Sequence, residues 1–326
     1  MKSIKYIWII ALFICINTTN GQEAHFTQFY ANALYLAPSF AGATEQHRIA
    51  SNFRDQWPSV PGTNTFVTYS FAYDHFFSNF NSGVGLYFMN DVAGSMSLSN
   101  MKFGLMYSYD FQVFNFWHIR PGATFAYFQR SISFNNTQLY SSIDNGSTII
   151  TGSEEFSPFW EFDASASVLI YADKIWFGTC VDHLTKPRDA FDGSQTIPPK
   201  FTLFGGYQVI RKGRLLKPID ETVSLAFLYK NQSKVDQLDL GLYWFKSPLV
   251  FGLWYRGIPV INDEKVGDML AVLVGVKVPQ FSIGYSYDFT ISRLVGQTGG
   301  AHEVSMVYEF KTSRRRKIHA IPCPEF

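Results

Sequence analysis

Residues 281 to 289 read Phe281-Ser282-Ile283-Gly284-Tyr285-Ser286-Tyr287-Asp288-Phe289, an alternation of apolar with small or polar side chains. Successive side chains of a β-strand face opposite sides of the sheet, so this stretch predicts a strand with one apolar face. The second face carries Gly and Ser where a globular sheet more often places Lys or Glu. An apolar face for lipid and a small, polar face for the interior are typical of a transmembrane β-barrel.

Similar alternation, bounded by turn residues, predicts fourteen strands along the chain. They lie near 47–57, 64–75, 82–90, 97–110, 118–134, 159–171, 175–183, 200–211, 220–230, 235–244, 248–257, 268–278, 280–289 and 301–310. Even numbers of antiparallel strands are the rule for bacterial single-chain barrels. We therefore expect an all-β outer-membrane barrel whose last strand pairs with the first. A lipocalin-like barrel or a β-sandwich also alternates and is the soluble alternative.

The barrel interpretation assigns each side chain to a face. The side chains expected to face lipid are those of Tyr285, Phe103, Leu240 and Phe125, whereas position 284 or 286, Gly284 or Ser286, should point inward. The interior should be lined by small residues and carry few charges, whereas a diffusion pore would carry opposed rows of charge.

The connections alternate in length. Short or compact ones lie at 76–81, 111–117, 172–174, 212–219, 245–247 and 278–279, and the long ones lie at 135–158, 184–199, 258–267 and 290–300. Barrels of this class place short turns in the periplasm and longer loops outside the cell. This order predicts that both termini are periplasmic.

Composition limits the classes of function. Charged residues make up 16% of the 326 residues, against about 25% in ordinary soluble domains. A net charge of +1 argues against a nucleic-acid-binding protein. The seven histidines show no zinc-binding spacing, and no serine lies in a nucleophile-elbow motif. We predict no enzyme, metal or cofactor; a hydrolase would require His, Ser and Asp or Asn to converge inside the barrel.

The first residues predict export. Lys2 and Lys5 precede an apolar run over 7–16, and small and polar residues follow it. This pattern is typical of a signal peptide, here residues 1–21 with cleavage after Gly21. The exported chain keeps Cys180 and Cys323, and spacing alone does not show whether they pair.

Two blocks of sequence carry a family resemblance. The first runs from Gln22 to Gly42 and continues through Asn52-Phe53-Arg54-Asp55-Gln56-Trp57-Pro58. The second contains Tyr287-Asp288-Phe289, Gly299-Gly300-Ala301-His302-Glu303-Val304-Ser305-Met306 and the terminal Cys323-Pro324-Glu325-Phe326. The motif residues are Phe26, Gln28, Phe29, Tyr30, Asn32, Pro38, Gly42, Arg54, Gln56, Trp57, His302 and Glu303. Together these blocks resemble the PorP/SprF family of type IX secretion outer-membrane proteins.

The resemblance implies a non-enzymatic barrel in the outer membrane of a Gram-negative bacterium. Family members receive or anchor an exported surface protein, such as a gliding adhesin, through its C-terminal domain, or connect to other subunits of the secretion machinery. The alternative function is an outer-membrane channel for small solutes.

The resemblance and the strand pattern divide the chain into four parts. They are the signal peptide 1–21, an aromatic segment 22–46, the barrel 47–310 and a basic periplasmic tail 311–326. The aromatic segment should pack in the lumen or at the periplasmic rim, or bind a partner. Aromatic residues of the long loops are the candidate partner contacts: Tyr140, Phe156, Phe159, Trp160 and Phe191.

Overall fold

The computed structural model describes residues 25–44, 46–60, 66–94, 98–114, 116–132, 157–189, 195–212, 220–260, 269–291, 298–310 and 321–322. Within them, the elements before the sheet are a short helix α1 (Ala33–Leu36) and a 3-10 helix (Pro38–Phe40). The strands are β1 (Arg48–Gln56), β2 (Phe66–Phe77), β3 (Ser82–Ala93), β4 (Leu98–Tyr109), β5 (Phe111–Val113), β6 (Trp117–Ile132), β7 (Phe159–Tyr171), β8 (Ile175–Asp182), β9 (Lys200–Lys212), β10 (Glu221–Gln232), β11 (Val235–Lys246), β12 (Leu249–Ile258), β13 (Met269–Lys277), β14 (Phe281–Thr290) and β15 (Ala301–Glu309). Among the described residues, no helix has the length and apolar character needed to cross a membrane.

The strands form one antiparallel sheet that closes on itself. β15 pairs with β1 from Arg48↔Glu309 to Gln56↔Ala301, as predicted for the first and last strands. β4 pairs with β6, and the short β5 extends the line of β4 along the same neighbour. β4 and β5 therefore count as one strand of the barrel, and the predicted fourteen-stranded architecture is confirmed. Closure satisfies the backbone hydrogen bonds that a sheet edge would leave exposed to lipid.

The predicted faces are also confirmed. Tyr285, Phe103, Leu240 and Phe125 have 41, 48, 47 and 57% of their surface exposed on the outside of the barrel. Their neighbour Ser286 is completely buried. A soluble barrel has a polar exterior and an apolar interior, whereas this barrel has an apolar exterior. The soluble alternative is therefore wrong.

The two ends of the barrel differ. We call the end that carries connections 78–81, 172–174, 247–248 and 278–280 the short-turn end, and the opposite end the long-loop end. The start of β1 and the end of β15 both lie at the short-turn end.

Candidate functional site: a plugged lumen

The lumen is filled by residues 25–44, which we call the plug. Apart from His25, Tyr35 and Thr44, every residue of the plug is buried. The plug begins beside Glu303 of β15, near the long-loop end. It ends just before the start of β1, at the short-turn end. Residues Ile321 and Pro322 of the C-terminal tail are buried too, and Ile321 belongs to the same core. The described part of the barrel therefore encloses a packed interior.

The beginning of the plug is held by two buried carboxylates, Asp288 and Glu303. The Glu303 carboxylate accepts hydrogen bonds from the backbone N–H groups of Thr27, at 2.7 Å, and Gln28, at 3.0 Å. The Thr27 hydroxyl donates to Asp288 at 2.7 Å. Arg54 bridges the two acids, donating to Asp288 at 2.8 Å and to Glu303 at 3.1 Å. We call these two acids and Arg54 the carboxylate clamp.

A second arginine extends the clamp. Arg256 donates to Asp288 at 3.2 Å and lies 3.5 Å from Asp239. Its guanidinium also donates to the Thr27 hydroxyl at 2.9 Å. Two guanidinium groups thus face three carboxylates. The backbone N–H groups of Thr27 and Gln28 add further partial positive charge beside the carboxylates. Buried ions are tolerated only when they are paired and hydrogen-bonded in this way.

Charge inside the barrel is greater than the sequence analysis predicted. The buried charged residues of the strands are Arg48, Arg54, Arg120, Arg256, Asp74, Asp163, Asp236, Asp239, Asp288 and Glu303. The expectation of a sparsely charged interior is therefore wrong. No strand contributes more than two of these residues, so they become numerous only when closure brings the strands together.

The end of the plug is fixed by contacts with its carbonyl groups. The Ala41 carbonyl accepts hydrogen bonds from Arg120, at 2.5 Å, and from the Ser108 hydroxyl, at 2.8 Å. A Cβ atom at Gly83 would lie 1.9 Å from the same carbonyl oxygen. At Gly122 a Cβ would lie 2.4 Å from the plug nitrogen of Ser39. These strand glycines therefore permit the close approach of two backbones.

Aromatic contacts hold the middle of the plug. The Phe29 ring lies edge-on to Trp254 with centroids 4.8 Å apart, and the Trp176 indole donates to the Tyr30 hydroxyl at 3.1 Å. Both tryptophans pack against glycines of a neighbouring strand, Trp176 against Gly206 and Trp254 against Gly241, where a Cβ would come within 2.4 Å or less of the indole. The small residues of the inner face thus make space for large rings.

The connection between β8 and β9 folds inward at the long-loop end. We call its described residues, 183–189 and 195–199, the inward loop. Asp163 fastens its start, because one carboxylate oxygen lies 2.9 Å from His183 Nδ1 and 3.2 Å from Lys102 Nζ. Arg130 binds Asp189 further along, and the buried side chain of Ile197 points into the barrel. The loop therefore covers part of the lumen.

Between the plug and the inward loop lies a cavity of about 490 Å³, which we call the chamber. Its floor includes the plug residues Leu34 and Tyr35, and Ile197 of the inward loop contributes to its lining. Ser165 lines the chamber too, as does His183. His183 thus pairs with Asp163, and a serine lines the same cavity; a hydrolase would require all three to converge. Both oxygens of Asp163 are engaged by groups that fasten the loop, including Thr185, so we assign the pair a structural role.

Most of the predicted motif residues meet in the lumen. Those in or beside the plug and its clamp are Phe26, Gln28, Phe29, Tyr30, Asn32, Pro38, Gly42, Arg54, Gln56 and Glu303. Trp57 instead lies at the long-loop end against Phe66, and His302 contacts the hydroxyl of Tyr285 on the outside of the barrel. No motif in the sequence indicated the roles of six further residues of the lumen, whose only signal was a large or charged side chain among small inner-face neighbours: Arg48, Arg120, Arg256, Asp239, Trp176 and Trp254.

The predicted partner-contact residues separate into two groups. Phe159 and Trp160 belong to β7 and not to a loop, and Trp160 is 54% exposed at the end of that strand. Their assignment to the loop is wrong because the pairing of β6 with β7 extends to Arg130↔Phe159. Tyr140, Phe156 and Phe191 lie outside the described residues, as does Cys323. Cys180 is buried on β8.

A closed barrel with an apolar exterior and a filled lumen defines an outer-membrane β-barrel protein. The family described as "Type IX secretion system membrane protein PorP/SprF" matches residues 18–308, and the chain belongs to this family. No curated protein matches the chain.

Several solved structures resemble the barrel. The outer-membrane protein Omp33 of Acinetobacter baumannii has a TM-score of 0.46 and 7% identity, with 82% of this chain and 100% of the other covered. The CymD monoaromatic hydrocarbon channel has a TM-score of 0.49 and 8% identity, with coverage of 87% and 94%. The P. putida toluene transporter TodX has a TM-score of 0.47 and 10% identity, with coverage of 84% and 92%.

Proposed function

We propose that this protein receives or anchors an exported surface protein at the long-loop end of its barrel. The observation that supports this proposal is the plug, which occupies the lumen and is held by hydrogen bonds to buried, ion-paired carboxylates. A lumen filled in this way is unsuited to steady diffusion of solutes. Membership of a type IX secretion family supplies the context of an exported cargo.

The proposal assigns an orientation to the barrel. The short-turn end faces the periplasm, where other subunits of the secretion machinery can contact it, and the long-loop end faces outward. The exported partner, a gliding adhesin or another secreted protein, engages the outer loops through its C-terminal domain. The long connection between β6 and β7 is the main candidate, and its residues 133–156 lie outside the described part of the chain.

Deletion of residues 140–155 tests this function. Long loops contribute little to sheet pairing, so the barrel should fold normally while surface display of the partner falls. The partner is first identified by purification of the protein from native membranes, and its display is then measured with an antibody on intact cells. Replacement of residues 213–219, in the connection between β9 and β10 at the opposite end, by a Gly/Ser segment of equal length is the matched control.

The same strains distinguish the alternative of a solute channel. Antibiotic permeability and single-channel conductance are measured for the deletion variant and for the unmodified protein. Normal display with increased permeability would contradict the proposed function. Steady, large currents through the unmodified protein would favour the channel.

A further inference from the structure

We propose that the chamber binds a peptide segment that carries an apolar side chain next to a carboxylate, contributed by the exported partner. This inference rests on the proposed function and names a site for it inside the barrel. The experiment below distinguishes an incorrect binding site from an incorrect proposed function.

The apolar part of the chamber fits a hydrophobic side chain. Its wall contains Met89, Met106 and Phe128 opposite the plug residues Leu34 and Tyr35. Methionines adapt to differently shaped apolar groups and occur at binding surfaces that accept variable partners. A volume of about 490 Å³ is within the range of roughly 300–1,000 Å³ for ligand pockets and accommodates a few side chains.

The polar part of the chamber fits a carboxylate. Four cationic residues line it, Lys102, Arg130, Lys200 and Lys230, against three acidic ones, Asp91, Asp182 and Asp189. Three of the cations pair with acids, Lys102 with Asp163, Arg130 with Asp189 and Lys200 with Asp182, while Lys230 lies 3.1 Å from His25 Nδ1. A carboxylate that enters the chamber beside Lys230 would accept a charge-assisted hydrogen bond from its ammonium group.

The lysines are held in place before any ligand arrives. Lys200 lies 3.2 Å from Asp182 and 5.8 Å from the centroid of the Tyr35 ring, while Lys102 lies 3.2 Å from Asp163. The Lys102 and Lys200 side chains nevertheless keep 20% and 12% of their surface exposed. An ammonium group has three donors, so each lysine can bind its present partner and also a ligand carboxylate.

Among the described residues, the chamber extends from the plug to the long-loop end. The plug forms its floor, whereas Ala93, Leu98 and Val235 line its outer part at the ends of their strands. A segment that enters from this end meets the plug and stops. The chamber is therefore suited to holding a chain segment and not to passing a solute, and its outer part lies at the end where the proposed partner binds.

Photo-crosslinking from adjacent positions tests the inference. Benzoylphenylalanine replaces Met106, which lines the chamber, or Leu105, which is 52% exposed on the outer face of the same strand. After irradiation of native membranes, Met106→benzoylphenylalanine should yield about ten times more adduct with an exported protein than the Leu105 control. Mass spectrometry should place the adduct on a segment that has an apolar residue beside Asp, Glu or the terminal carboxylate.

A second variant tests the charge. Lys230→Met keeps much of the apolar stem and removes a cation that lies 3.1 Å from His25 Nδ1. It should lower the Met106 adduct about tenfold, which is the effect of losing roughly one charge-assisted hydrogen bond.

The outcomes separate the two proposals. A third photo-reactive position at Val260, which is 55% exposed at the long-loop end, reports contact with the partner outside the chamber. Adducts with the exported protein from Val260 but none from Met106, or only adducts with the plug, would overturn the chamber site and leave the proposed function standing. No exported adduct from either position would count against both. An unchanged yield in Lys230→Met would overturn the role of the carboxylate.

Discussion

The carboxylate clamp predicts that Glu303→Ala releases the plug. The substitution removes the acceptor of two plug N–H groups, at 2.7 and 3.0 Å, and one partner of Arg54, at 3.1 Å. Glu303 is completely buried, so water does not replace these contacts while the plug stays in place. Breaking a buried ion pair by removing one partner costs about 3–5 kcal/mol.

The cost falls mainly on the plugged state, because departure of the plug lets water reach Arg54. Each ~1.4 kcal/mol changes an equilibrium constant tenfold, so the plugged-to-open ratio should fall by roughly a hundred- to several-thousand-fold. Glu303→Gln keeps one carbonyl oxygen and replaces the other acceptor by an NH2 group, and should therefore have an intermediate effect. Glu309→Gln, near the end of the same strand, is the control.

Single-channel recording of purified barrels in planar bilayers measures plug release. The Glu303→Ala variant should show large openings that the unmodified protein and Glu309→Gln lack. Limited proteolysis should cleave residues 25–44 faster in the same variant. Equal conductance and equal cleavage rates in all three proteins would refute the assignment of the clamp as the anchor of the plug.

Three further variants test the plug, the lipid face and the final strand. Gly122→Val should release the plug, because its Cβ would lie 2.4 Å from Ser39 N; Gly104→Ala meets its nearest atom, a methyl group, at 3.3 Å and should conduct like the unmodified protein. Tyr285→Arg should reduce the free energy of unfolding in lipid by about 2–4 kcal/mol in urea titrations, and equality with Tyr285→Phe would contradict its contact with lipid. Phe310→Ala should reduce the yield of assembled barrel, judged by heat-modifiable mobility in gels, because an aromatic residue at the end of the last strand resembles a barrel-assembly signal. An unchanged yield would remove that role while leaving the strand intact.

The strand pattern was predictable because it depends on neighbouring residues. Lipid contacts one face of every strand directly, so the apolar residues recur with a period of two whatever the rest of the chain does. The predicted strand 47–57 corresponds to Arg48–Gln56, and 301–310 to Ala301–Glu309. The ends of the strands were less predictable. Residues 111–113 were predicted as part of a turn but form β5, because they pair with β6 beyond Asp110.

The sequence by itself therefore determined the outer surface of this protein: the barrel, its number of strands and the side chains that face lipid. Only the tertiary structure decided what fills the interior. Thr27, Arg54, Arg256 and Glu303 are far apart in the chain. Thr27 precedes the first strand, and the other three each look like an isolated polar residue on an inner face. Closure of the sheet brings them within hydrogen-bonding distance of one another. Pairing of buried charges depends on that closure and on register, which no local pattern of residues contains.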